Sequence, residues 1–303
     1  MKHQPHGVPA LPEKFRTTVS SRWGKKGEQW LQDFPALLQK CEERFALTIG
    51  NPRENSYNFV ADAKTKSGES VMVKIGYPGS EFPKEIDALE VFKDKKMVRM
   101  LDFDQDLPAI VLQKLNPGTE LATLQNDEDA TRILGGFIRD LPVAIPKQHS
   151  FPTIENWLQV IDRIGTDHPI PSPLLFKARK LHAELDATKK ENKLLHGDLH
   201  HCNILQDKKV GWVAIDPQCV IGDPIFEAGR MLHNPDNLLE SGNPQEKMKR
   251  RVAILAEELD CDRKRVAGWG FVDCVIAACW SVEDREDGWR GGVECAQILE
   301  SFL

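Results

Sequence analysis

Apolar residues recur at helical spacing between residues 25 and 46. Trp30, Leu31, Phe34, Leu37, Leu38, Cys41 and Phe45 line one face. Pro35 lies inside that run and predicts a kink or a split there. From residue 58 the period changes. Residues 58–64 and 70–75 read as two strands joined through Thr65-Lys66-Ser67-Gly68. Val71, Val73 and Ile75 fall on one face of the second strand, Met72 and Lys74 on the other. Pro83 precedes a predicted helix over 84–93, with Ile86, Leu89 and Phe92 on one side. Residues 97–103 and 109–114 form a second strand pair around Asp104-Gln105-Asp106. Leu115-Asn116-Pro117-Gly118 then breaks the pattern and reads as a linker. Beyond it the helical period dominates, over 127–141, 153–164, 173–187, 245–259, 263–280 and 291–302. Thr153 and Ser172 are the expected N-caps. Short strands and a loop occupy 194–216. The pattern therefore predicts an α+β chain with a sheet-rich first half and a helix-rich second half, without internal repeats.

Composition narrows this further. At 41% hydrophobic and 28% charged residues, the 303-residue chain has the balance of a globular protein. Its unbroken apolar runs, such as 275–280, are far too short to span a bilayer. The first dozen residues are polar and proline-rich, so no secretory leader and no membrane partner are expected, and a cytoplasmic location is. A net charge of -6 argues against a general nucleic-acid binder. The seven cysteines (Cys41, Cys202, Cys219, Cys261, Cys274, Cys279, Cys295) are odd in number and form no C-x-x-C pair. They read as reduced core residues.

The chemistry is concentrated in His196-Gly197-Asp198-Leu199-His200-His201-Cys202-Asn203, followed by Val213-Ala214-Ile215-Asp216-Pro217. An acid sits in a polar loop, an amide follows five residues later, and a second acid ends an apolar strand 13 residues after that. Phosphoryl transfer from ATP needs this set. One carboxylate takes or orients the proton of the attacking hydroxyl, while an amide oxygen and a second carboxylate hold Mg2+ against the phosphates. Protein kinases use H-R-D-x-x-x-x-N and D-F-G for these roles. Here the Asp-to-Asn spacing is the same, with Gly197 in place of Arg and Asp216-Pro217-Gln218 in place of D-F-G. Taken singly, each of these residues reads better as part of a turn or a solvated loop; the ordered set does not. A rival is a zinc site from His196, His200, His201 and Cys202, although neighbouring loop side chains rarely converge on one tetrahedral ion.

A kinase also needs a cation on the donor phosphates. Lys74 is placed for it, with Glu85 as partner 11 residues on. Alone, Lys74 reads as a solubilising charge on an edge strand. The nucleotide-covering loop is expected at Asn51-Pro52-Arg53-Glu54-Asn55-Ser56-Tyr57-Asn58, where backbone amides and the Ser56 hydroxyl cradle phosphate. Kinase architecture places adenine against the backbone from Gln113 to Leu115.

These stretches resemble the aminoglycoside/hydroxyurea antibiotic-resistance kinases, the group containing the streptomycin kinases. They form part of the aminoglycoside phosphotransferase branch of the protein-kinase-like fold. The resemblance runs from about Trp23 to the C-terminal helix. It is carried by Trp23-Gly24, Val73-Lys74-Ile75-Gly76, Lys84-Glu85, Leu115-Asn116-Pro117-Gly118-Thr119-Glu120-Leu121, the loop from Leu195 to Asn203, and Ala214-Ile215-Asp216-Pro217-Gln218-Cys219-Val220-Ile221-Gly222-Asp223-Pro224.

The resemblance implies a two-lobe fold. A helical extension spans 1–46, an antiparallel-sheet nucleotide lobe 47–115, and a mainly helical lobe with catalytic loop and acceptor site 116–303. Asp198 is implied as the catalytic base, Asn203 and Asp216 as Mg2+ ligands, Lys74 and Glu85 on the nucleotide side, and Asp223 as a brace for the catalytic loop. The implied donor is ATP, with GTP left open because 51–58 lacks the expected glycines. Gln218 stands where the group commonly carries a basic residue. The implied acceptor is a hydroxyl of a small molecule, an aminoglycoside such as streptomycin or hydroxyurea.

For a cationic acceptor, the cluster Glu283-Asp284-Arg285-Glu286-Asp287 is either a wall of its site or a solvated loop, and Asp273 either caps a helix or faces the acceptor. A housekeeping small-metabolite kinase and a catalytically silent nucleotide-binding protein are the alternatives. The sequence does not specify an oligomeric state.

Overall fold

The computed structural model describes residues 10–54, 57–78, 82–104, 106–235, 238–240 and 242–303. The chain divides into two compact units. The first runs to Lys93 and includes Val98–Asn116; the second comprises Asp94–Met97 and Pro117–Leu303.

The first unit opens with helix α1 (Glu13–Phe45), which starts well before the expected residue 25. Two apolar residues in a polar stretch, Phe15 and Val19, anchor the extra turns; both are buried. The break in the helix is not at Pro35, which stays inside it, but at Gly24, with φ 53° and ψ -136°. A side chain disfavours that conformation, so glycine localises the break. The five strands are β1 (Leu47–Pro52), β2 (Phe59–Thr65), β3 (Ser70–Ile75), β4 (Met100–Phe103) and β5 (Ala109–Gln113), with α2 (Phe82–Val91) between β3 and β4. They form one antiparallel sheet in the order β1-β2-β3-β5-β4. Strand β1 was not expected. It takes Asn51 and Pro52 out of the predicted nucleotide loop.

One sheet face carries Phe59, Ala61, Ala63, Val71, Val73 and Ile75. These form a single core with Phe15, Val19, Phe34, Leu38 and Cys41 of α1. Each large apolar side chain buried there contributes roughly 1.5–3 kcal/mol. Strict alternation then sends Lys74 to the opposite face. Because β3 is the central strand, Lys74 is not the edge charge that a bland reading would make it.

The second unit contains β6 (Pro117–Glu120), α3 (Asp127–Asp140), α4 (Ile154–Leu158), α5 (Val160–Arg163), α6 (Ser172–Ala187), β7 (Lys193–Leu195), β8 (Ile204–Asp207), β9 (Gly211–Ala214), β10 (Val220–Gly222), α7 (Ala228–Leu232), α8 (Pro244–Glu258), α9 (Arg263–Glu283) and α10 (Trp289–Glu300). Pro117 and Gly118, expected in a linker, belong to β6, which pairs with β8. Thr153 caps α4 as expected, in a reciprocal capping box with Asn156. The single helix predicted over 153–164 is two short ones. Ser172 is no cap: it is the first residue of α6, after Pro171.

Helix α9 is the axis of this unit and packs against α6, α7, α8 and α10. By length and composition alone it is apolar enough to cross a membrane. It is instead buried from Val266 to Cys279 with few exceptions, and a helix apolar all round belongs in a core. All seven cysteines are free thiols.

Candidate active site

Strand β7 delivers the chain into the loop 196–200, and β8 and β9 carry it back to Asp216. One hydrogen bond from His196 joins these segments, and a second, accepted from Asp198, closes the loop on itself. Nε2 of His196 bonds the carbonyl of Ile215 at 2.8 Å, and its Nδ1 accepts the amide of Asp198 at 3.2 Å. The proton therefore sits on Nε2. Complete burial favours the neutral ring and lowers its pKa to about 4. The carbonyl of His196 accepts the amides of Gln218 and Cys219. His196 is thus a structural cross-tie from loop to strand.

Gly197 explains the departure from H-R-D. Its φ is +83°, and a Cβ there would lie 2.9 Å from the ring of Trp157 and 3.1 Å from the amide nitrogen of Cys219. An arginine does not fit this backbone.

Asp198 is half-buried. The side-chain amide of Asn203 donates to its backbone oxygen and to Oδ2, both at 2.9 Å. Nε2 of His200 lies 3.6 Å from Oδ2, and Nε of Arg230 lies 3.6 Å from Oδ1. Burial works against the charged carboxylate, but His200 and Arg230 outweigh it and hold Asp198 well below the usual carboxylate range. The carbonyl of Asn203 accepts the amide of Ile215 at 2.9 Å, so Asn203 lies one residue from Asp216 across the hairpin. Asp216 itself adopts the left-handed conformation, φ 60°.

The three histidines diverge to different neighbours. His196 bonds Ile215, His200 lies at Asp198, and His201 is buried beside the Arg251–Asp127 pair. Among the described residues no three His, Cys, Asp or Glu side chains gather as a metal cluster.

On the first unit, Nζ of Lys74 bonds Oε1 of Glu85 at 2.8 Å, with side chains 3% and 10% exposed. Helix α2 brings the glutamate to the polar face of β3. Gln113 ends β5, and its amide is already donated to the carbonyl of Arg99 at 2.9 Å. Leu115 follows, buried. Ser56 lies outside the described residues.

Sequence reasoning missed the support beneath the loop. Glu227 accepts the amide of Gly197 at 2.7 Å, and Nε of Arg230 donates to the carbonyl of Gly197 at 3.3 Å. One glycine is thus held at both polar ends. The guanidinium of Arg230 lies over Trp157 and Trp280, 5.8 and 5.0 Å from their ring centroids. It is also 3.7 Å from Asp273, whose other oxygen bonds His233 at 3.0 Å. Asp273 is therefore neither a helix cap nor exposed; it is fully buried as counter-ion to Arg230. The signal was available: Glu227 and Arg230 are charges three apart inside Ile225-Phe226-Glu227-Ala228-Gly229-Arg230-Met231-Leu232, an otherwise apolar run. Asp223, expected to brace the loop, bonds Ile225, Arg265 and Trp269 instead and ties the turn before α7 to α9.

Burial raises the pKa of Glu227 to about 8, above the ordinary 4.5. The unfolded chain releases this proton near 4.5, whereas the folded chain keeps it until about 8. Stability is therefore expected to decline as pH rises through that window, by as much as ~3–5 kcal/mol from this group. Glu227→Gln keeps an acceptor for Gly197 and should flatten the decline. Urea midpoints at pH 5 and pH 8 for parent and variant check it; equal slopes would assign the proton elsewhere.

Residues 50–285 match the family model described as aminoglycoside/hydroxyurea antibiotic resistance kinase. The chain is 27% identical over 290 residues to streptomycin 6-kinase of Streptomyces griseus, covering 90% of this chain and 91% of that one. It is 26% identical over 275 residues to hydroxyurea phosphotransferase of Kitasatospora aureofaciens, covering 87% and 77%. Its fold is similar to that of a thermostable mutant of aminoglycoside phosphotransferase APH(4)-Ia in a ternary complex with ADP and hygromycin B. That likeness has a TM-score of 0.63 at 13% identity and covers 88% of this chain and 98% of that one. The fold is protein-kinase-like, with an antiparallel-sheet unit and a mainly helical one.

Proposed function

The chain belongs to the aminoglycoside/hydroxyurea antibiotic resistance kinase family and is a small-molecule phosphotransferase; from that premise we propose that it transfers the γ-phosphoryl group of ATP to a hydroxyl of streptomycin, a related aminoglycoside or hydroxyurea. The observation that carries this reading is the pair of hydrogen bonds from the Asn203 amide to Asp198. They orient a carboxylate that stays ionised and leave the amide oxygen as the group facing a different task.

In this mechanism Asp198 receives the acceptor hydroxyl and orients or takes its proton. Lys74, fixed by Glu85, neutralises donor phosphate. Asn203 and Asp216 are the groups that would hold Mg2+. Their fit is chemical: both offer oxygen to a hard cation, and the Asn203 nitrogen is already engaged with Asp198. When bound, the ion supplies charge neutralisation at the phosphates. Rate enhancement comes mainly from positioning and fixed charge. The sheet unit handles the donor and the helical unit the transfer, in the cytoplasm.

The acid cluster gives limited support to a cationic acceptor. Glu283 is bound by Arg163 through two hydrogen bonds of 2.6 and 3.0 Å, and Asp287 pairs with Arg290 at 2.7 Å. A neutral acceptor therefore belongs in the test on equal terms. Acceptor-dependent ADP release should be measured with MgATP across streptomycin, other aminoglycosides, hydroxyurea and metabolic alcohols, with Asp216→Ala as the inactive control. Turnover with an antibiotic is the expected result. Turnover confined to a metabolic alcohol would make this a housekeeping kinase. No turnover with any acceptor, alongside MgATP binding, would make it a silent nucleotide binder.

A further inference from the structure

We propose that α1 is a positioning element for the donor nucleotide, acting through a stack of Trp23 on Tyr77 that steadies the residues just past Lys74. This rests on the reading of Lys74 as a phosphate ligand. Tyr77 lies three residues past Lys74 and is gripped from both arms of the broken helix. Trp23, before the break, stacks on it with centroids 4.2 Å apart and planes at 17°; Trp30, after the break, meets it edge-on at 5.4 Å and 76°. The neighbour of Tyr77, Gly76, lies flush against the ring of Phe82. Phe82 is the first residue of α2, the helix that presents Glu85 to Lys74 at 2.8 Å. A continuous run of contacts thus leads from α1 to the ion pair.

A second contact reaches the other side of β3. The guanidinium of Arg22 lies 5.4 Å from the ring centroid of Tyr57, at the entry to β2, and 6.0 Å from that of Trp23. The predicted nucleotide loop that Tyr57 closes has no glycine from Asn51 to Asn58. An outside cation on its one aromatic gives Tyr57 a fixed point.

The break at Gly24 makes the arrangement. No heavy atom lies within 4 Å of a Cβ built on Gly24, so the glycine answers to backbone conformation and not to space. An alanine there favours a continuous helix and carries Arg22 and Trp23 away from Tyr57 and Tyr77. If these aromatics only bury α1, their loss lowers stability and nothing else. If they position the donor site, affinity for the donor changes as well.

Full-length parent and variants should be titrated with MgATP by calorimetry, alongside thermal unfolding. Trp23→Ala and Gly24→Ala are expected to raise the dissociation constant about fivefold. Leu38→Ala, on the same helix but in its core face, should lower the melting temperature with the constant unmoved. Lys74→Ala supplies the control on the premise. A parental constant for Lys74→Ala would overturn the donor-site reading and this proposal with it. A weakened Lys74→Ala beside an unchanged Trp23→Ala and Gly24→Ala would overturn the positioning role alone.

Discussion

Asp198→Asn is expected to reduce turnover by roughly 10²-fold or more while MgATP binding changes little. The substitution keeps the side-chain shape and can still offer an oxygen to the Asn203 amide, which donates to Oδ2 at 2.9 Å in the parent. What it removes is the charge that His200 and Arg230 hold in place. The groups assigned to the metal, Asn203 and Asp216, are untouched. Acceptor-dependent ADP release and nucleotide titration on the same preparation check it. A variant turning over near the parental rate would take Asp198 out of the mechanism.

The largest expected loss of stability is at Arg230. Methionine is comparable in length and apolar, so Arg230→Met removes the charge while largely keeping the volume. It leaves Asp273, fully buried, without its guanidinium partner, and Asp198 with only His200 and the Asn203 amide beside its carboxylate. Breaking a buried pair from one side costs about 3–5 kcal/mol. In a unit of this size that lowers the melting temperature by roughly 10 °C. Turnover should fall too, because the carbonyl of Gly197 loses its donor and Asp198 its counter-charge. Arg230→Lys should recover part of the stability and less of the turnover, since an ammonium keeps the charge but not the planar stack on Trp157 and Trp280. Arg230→Met with parental stability would mean that the Arg230–Asp273 pair contributes no net stability to the fold.

The parts of the site legible in the sequence were those encoded by local spacing. Asp198 and Asn203 lie five apart because one tight loop brings them together, and Lys74 alternates with valines because a strand has period two. The antiparallel sheet and the helical second unit followed from the same periods. The misses share another cause. Glu227 and Arg230 act on Gly197 from 30 and 33 positions away, and Asp273 meets Arg230 only because α7 docks on α9. Such contacts leave no periodic trace. The early start of α1 and the strand β1 were overlooked because few apolar residues mark them, and packing decides them in place of propensity. At Pro35 the local rule lost to tertiary contacts: the buried residues Phe34 and Leu38 on either side pin the helix through it.

Helix α9 has a consequence for how the protein is made. Synthesis runs from the first unit toward α10, and the ribosome releases the loop at 196–203 and helix α7 well before residues 263–283. Until α9 arrives, Arg230 has no Asp273 opposite it and no Trp280 above it, and the α7 segment has no apolar surface to lie on. The first unit draws its core from α1 and its own strands and can close early. The second cannot: an emerging chain carries a finished sheet unit and an open, sticky helical one. Holding chaperones are expected to act in that interval, which ends when α9 docks on α6, α7 and α8.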